Sequence, residues 1–208
     1  LTADGEISLT AGGLLDAVNV VAGGTGNDVI LIATTGGVIA SIVTAADAVS
    51  ITAAAGDVAV GSITATAGTL GVTATTGSIN DATDDNTVDL KATAGGLITL
   101  TAEDEIGDHA TFTDKNLEFA AGSSVNVSTT GAGAIDLDGD GPITLTDVDT
   151  TDGTITVAAG GAITATDVAT GNNNISLTTT SGAITGVATI DAGIGDVFLT
   201  SAGAISDD

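Results

Sequence analysis

Apolar and polar residues alternate with a period of two along most of the chain, in short runs that end in small residues and a glycine. The pattern reads ISLTAGGLL from Ile7, ILIATTGGVI from Ile30, ITAAAGDV from Ile51, VTATTGSI from Val72 and LKATAGGLI from Leu90. It returns as VNVSTTGAGAI from Val125, ITVAAGGAI from Ile155, ISLTTTSGAI from Ile175 and VFLTSAGAI from Val197. Strict alternation puts one set of side chains on one side of a strand. Ile7, Leu9, Ile51, Ile155, Val157, Ile175 and Leu177 belong to that set and are expected to line one continuous narrow core. The intervening Thr, Ser, Ala and Lys positions face water, and the glycine supplies the conformational freedom of an abrupt corner.

The runs recur at roughly 18 to 23 residues, the length of one turn in many β-solenoids. The predicted fold is therefore all-β: a right-handed parallel β-helix of roughly 20-residue turns, with residues 1–208 forming a single solenoid. Each strand would pair with its equivalent in the turns above and below, closing hydrogen bonds that a lone strand leaves open. A helical reading fails because Gly, Thr and Val recur every few residues. The register is lost near residues 102–124, which reads as an irregular loop or insert. This segment holds His109 and Lys115, and its Phe112 and Phe119 are expected to plug a local gap. Loops of this kind carry function on repeat scaffolds.

Composition supports a thin core. Aromatic residues are 1% of the chain, Gly numbers 30, and Trp, Tyr, Met and Cys are absent. An interior without large rings needs small β-branched side chains in a narrow stack. The absence of cysteine removes disulfides, thiolate metal sites and a cysteine nucleophile. Val29 to Ala46 carries no charge over about 18 positions, the lower limit for a membrane helix. Its Thr34, Thr35, Gly36 and Gly37 and its β-branched residues mark it instead as one repeat unit. Leu1 reads as the start of a mature or excised segment, because neither an initiator Met nor a basic leader precedes it.

Charge narrows the partners. Two Lys face 27 Asp and Glu, a formal net charge of −25, which repels phosphate backbones and anionic membranes. Nucleic acid binding and membrane insertion are not expected. Crowded carboxylates do attract cations, and calcium is the expected cofactor. In IDLDGDGPITLTD, residues Asp136, Asp138, Asp140, Gly141, Ile143 and Asp147 fall at the first, third, fifth, sixth, eighth and twelfth positions of a calcium loop. The last ligand is Asp rather than Glu and the flanks are not helical, so the segment is not an EF-hand; a solvated Asp–Gly turn is the plain alternative. GGTGNDVIL, from Gly23 to Leu31, fits one calcium-binding nonapeptide with Asp28 as its ligand, although one copy carries half a site.

Catalysis has little to stand on. His109 has no nucleophile in context, there is no Arg, and the carboxylate pairs Asp84 with Asp85 and Asp138 with Asp140 lack aromatic rings to stack a sugar. Polygalacturonase-like and lyase-like readings are thereby set aside, and the chain is read as not an enzyme. Paired Thr residues recur at Thr64 and Thr66, Thr73 and Thr75, Thr99 and Thr101, Thr144 and Thr146, and Thr164 and Thr166, a feature that resembles ice-binding faces but also suits any exposed pleat.

The units ITLTAEDEIG, from Ile98, and LEFAAGSSVNVSTTGAGAIDL resemble the filamentous-haemagglutinin-like repeats of large bacterial exoproteins. That resemblance implies a secreted or cell-surface structural or adhesive fibre, such as an adhesin or a biofilm component. The implied partners are further repeats or copies joined head to tail, together with cell-surface or matrix components. A calcium-dependent ligand- or ice-binding module of an RTX-like adhesin is the alternative. Both ends of the chain, LTADGEISLT and FLTSAGAISDD, look like ordinary repeat units without caps.

Overall fold

The computed structural model describes residues 1–83, 85–107 and 116–207; Asp84, His109, Phe112 and Lys115 lie outside them. Among the described residues there are strands and no helix, and the strands stack as a parallel β-solenoid of about 9 turns with a spacing of about 21 residues. They form a 12-stranded and an 11-stranded sheet, which we term the larger and the smaller sheet.

The core is built from columns of equivalent residues. In the smaller sheet Leu9, Leu31, Ile51, Val72, Leu100, Val127, Val148, Val168 and Ile190 are register partners through the length of the stack. Ile7, Ile51, Ile155, Val157, Ile175 and Leu177 are buried as expected, while Leu9 in the first turn is half-buried against the core. The repeat that reads from Ile30 is shifted by one residue: Val29 pairs with Ile7 and Val49, so Val29, Leu31 and Ala33 point inward and Ile30 and Ile32 point out. With four apolar residues in succession the sequence supports either register, and pairing with neighbouring turns selects one.

A small-residue column runs beside the aliphatic ones. Ala11, Ala33, Ala53, Ala74 and Ala102 occupy it in the first half and Thr129, Thr150 and Thr170 in the second. The buried Thr hydroxyls are satisfied locally: Thr129 and Thr150 donate to the Gly133 carbonyl at 3.1 and 2.9 Å, and Thr170 donates to that of Gly153 at 2.6 Å. A Cβ on Gly153 would run into the Gly133 carbonyl, so this corner needs glycine.

Ordinary turns join a straight five-residue strand to an eight-residue strand whose inside–outside alternation slips midway. In the first half the straight strands, such as Val49–Ala53, lie in the smaller sheet and the bent ones, Val38–Ala45 and Val58–Ala65, in the larger. In the second half the roles are exchanged: Ile135–Gly139 and Ile155–Ala159 are straight strands of the larger sheet, and Ile143–Thr150 is a bent strand of the smaller. Between the halves two steps are long. Leu70 pairs with Ile98, 28 residues on, and Ile98 with Val125, 27 residues on.

In the first long turn the extra chain interrupts the larger sheet where the bend would fall. Ile79–Asp81 pairs with Val58–Val60 and Leu90–Ala92 with Ile63–Ala65, leaving residues 82–89 between them. In the second, Ile106 bridges Ile79 and Ile135, and Leu117–Phe119 pairs with Leu137–Gly139. Phe119 is fully buried and stands in a column between Leu90 and Gly139, its ring set beside a residue without a side chain. Within the segment 102–124, Leu117–Phe119 and the start of Ser123–Thr129 are thus regular solenoid strand.

Candidate functional site

Of the acidic residues described, three are buried: Asp81, Asp89 and Glu118. They converge on one spot, with one carboxylate oxygen from each lying within 4.8 Å of the others. Local structure explains how. Asp81 ends the strand Ile79–Asp81 at a core-facing position, in the column of Ala40 and Val60. Asp89 directly precedes Leu90, where the chain returns to the sheet after residues 82–89. Glu118 lies between the inward Leu117 and Phe119 of the following turn. The cluster therefore occupies the place where the bend passes from the larger to the smaller sheet.

Backbone bonds hold Asp89 and Glu118 together. Asp89 N–H donates to the Glu118 carbonyl at 3.0 Å, and Glu118 N–H donates back to Asp89 Oδ2 at 3.1 Å. Asp81 Oδ1 accepts the Thr83 N–H at 2.7 Å and the Thr83 hydroxyl at 2.9 Å, which turns the chain away from the sheet. Asp81 Oδ2 is buried and has no hydrogen-bond partner among the described residues. Burial pushes the Asp89 carboxyl up to about 10; a side-chain hydrogen bond with Glu118 and the negative charges of Asp81 and Glu118 add to this, and the Glu118 N–H works against it. Three carboxylates this close repel one another unless something positive lies between them.

Open grooves reach the cluster from two sides. One, of about 300 Å³, is lined by Asn86 and Val88 together with Glu118, Asp138 and Asp140. The other, of about 480 Å³, is lined by Leu14, Ile39 and Asp57 with Asn80 and Asp81.

The residues singled out from sequence are placed differently. Asp136 and Asp138 lie along the extended strand Ile135–Gly139, Asp140 follows it at an exposed corner, and Asp147 sits on Ile143–Thr150 in the other sheet. The chain from Asp136 to Asp147 thus runs out along two sheets rather than wrapping a point. Asn116 donates to Asp138 Oδ2 at 3.2 Å. Asp147 belongs with Asp149 and Asp167, and burial, with the charges of those two neighbours, raises the Asp149 carboxyl above its ordinary range. Asp28 ties turns together: its Oδ1 accepts the Ala48 N–H of the next turn at 2.9 Å, as Asp57 Oδ1 does for Ser78 N–H. Asp85, beside Asp84, accepts the N–H and hydroxyl of Thr87, which lowers its carboxyl.

The Thr pairs do not share one face. Thr99 and Thr101 face out from the smaller sheet, where Thr101 stacks on Thr73 and Thr52, but Thr99 stacks on Gly71; Thr64 lies in the larger sheet. Asp81, Asp89 and Glu118 escaped the sequence reading. The available signal was the overlong step from Leu70 to Ile98, since alternation alone assigns Glu118 to solvent. No protein-family model, no curated protein and no solved structure matches the chain.

Proposed function

We propose that this chain is a non-catalytic structural or adhesive segment of an extracellular bacterial fibre, extended by rung-on-rung stacking at its ends. The observation that carries this reading is the parallel stack itself, in which interior strands pair with their equivalents in the turns on both sides. Val197 continues the column of Ile175 and Ile205 that of Ile184, yet Val197 is 42% and Ile205 50% exposed where their counterparts are at 0%. Strand Val197–Thr200 is paired on one side, with Ile175–Thr179. An uncovered apolar rung with free N–H and C=O groups is a template for a further rung, from the same polypeptide or from a second copy. Such contacts are heterologous and do not close, so they lead to filaments. The high negative charge and the likeness of the units to exoprotein repeats support a surface setting.

Sedimentation of the 208-residue chain at micromolar concentration with calcium present tests this. We expect a concentration-dependent series of higher species and, by electron microscopy, rods whose subunit repeat is about 43 Å, from about 9 turns at about 4.8 Å each. A monodisperse monomer whose amides in Val197–Thr200 resist hydrogen exchange would show the end to be capped and overturn the reading.

A further inference from the structure

We propose that Asp81, Asp89 and Glu118 form a calcium-binding site buried where the solenoid's bend passes from one sheet to the other. The donor set is all carboxylate oxygen, which selects a hard cation over zinc or copper. Three carboxylates, each binding through one oxygen or two, provide up to about six ligands, within the range calcium takes. Their oxygens lie no farther apart than 4.8 Å, so none is separated by more than the span between opposite ligands of an ion held at about 2.4 Å.

A second observation separates a cation from a merely protonated cluster. One proton shared between Asp89 and Glu118 would relieve that pair, but Asp81 Oδ2 would still be buried with no donor among the described residues. Asp81 stands in a column where the preceding turns carry Ala40 and Val60, so its charge is set where packing asks for an apolar side chain. Buried polar atoms without partners are uncommon, and a bound ion is one of their ordinary explanations. The grooves beside Asp81 and Glu118 give an ion a way in. Asp81 and Asp89 flank residues 82–88, so an ion between them would clasp the base of this excursion to the turn that carries Glu118.

Calcium titration calorimetry on the full chain, stripped with chelator and held at about 0.15 M salt to screen diffuse counter-ion binding, tests the proposal. The expected result is one saturable site and a melting temperature that rises with calcium. Asp81→Asn and Glu118→Gln should each weaken binding at least about tenfold, the loss of one ligand charge, and Asp16→Asn, at an exposed position, should leave it unchanged. Asp89→Asn keeps the shape and removes one ligand carboxyl, so it provides a folded comparison, checked by circular dichroism, should Asp81→Asn fail to fold. No saturable binding at about 10 mM calcium, above the range of extracellular calcium modules, would overturn the site. So would equal binding by folded Asp89→Asn and the parent, or saturation by magnesium alone.

Discussion

Asp89 carries the clearest consequence at the scale of a single residue. Burial and the neighbouring carboxylates keep it protonated to about pH 10 in the folded chain, whereas an unfolded chain releases that proton near the ordinary value of 3.8. Between these values the folded state holds the extra proton, so stability from this group is complete below about pH 4 and is lost as pH rises toward 10. In chelator, the melting temperature should therefore fall from about pH 5 to about pH 9. Asp89→Asn, which has no proton to lose, should flatten that fall; Asp149 is shifted in the same direction and keeps some slope. Thermal melts of both proteins across pH check this, and parallel slopes would show that Asp89 does not titrate as its surroundings dictate. The small-residue column makes a related point. Where Thr replaces Ala at equivalent buried positions, as at Thr129, Thr150, Thr170 and Thr179, a glycine carbonyl of Gly133, Gly153 or Gly182 is in reach of the hydroxyl, because an unpaired buried hydroxyl costs about 1–3 kcal/mol.

At the scale of the element, register is what separates core from surface. Val29–Ala33 presents Leu31 to the core and Ile30 and Ile32 to solvent, although all are aliphatic. Leu31→Ala should cost about 2–5 kcal/mol, the usual loss for emptying a buried aliphatic site. Ile30→Thr should stay within about 0.5 kcal/mol, since Thr suits an exposed pleat. Denaturant melts of the two variants decide the register directly: a larger loss for Ile30→Thr would mean the strand is shifted by one residue. The bent and straight strands show the same dependence on partners. ITVAAGGAI from Ile155 and ISLTAGGLL from Ile7 share the same alternation and the same Ala-Gly-Gly corner, yet the first opens in the larger sheet and the second in the smaller.

The whole molecule is a stack in which each turn contacts chiefly its neighbours, so stability accumulates locally and the ends are its weakest parts. Joining two copies end to end brings together rods that each carry a net charge of −25. Repulsion between them reaches about 30 Å at 0.01 M salt and about 8 Å at 0.15 M. Assembly should therefore strengthen with ionic strength, the sedimentation profile moving to smaller species on dilution into low salt. Stronger assembly at low salt would point to an interface of opposite charges, which two lysines are too few to build, and would exclude stacking of like-charged rungs.

What the sequence determined by itself was the rung. The two-residue alternation, the glycine corners and the repeat length specify parallel solenoid turns, because these are local properties that every turn states again. It also specified which residues of most turns are inside, as for Ile51, Ile155 and Leu177. The tertiary structure alone decided whatever depends on which residue stands above which. Stacking chose the register of Val29–Ala33, drew the Asp136–Asp140 run out into strand, and used Asp28 as a tie between turns. It also gathered Asp81, Asp89 and Glu118, which are separated in sequence by up to 37 residues. Their meeting follows from two overlong turns laid on each other, and the spacing of acidic residues along the chain carries no trace of that pairing.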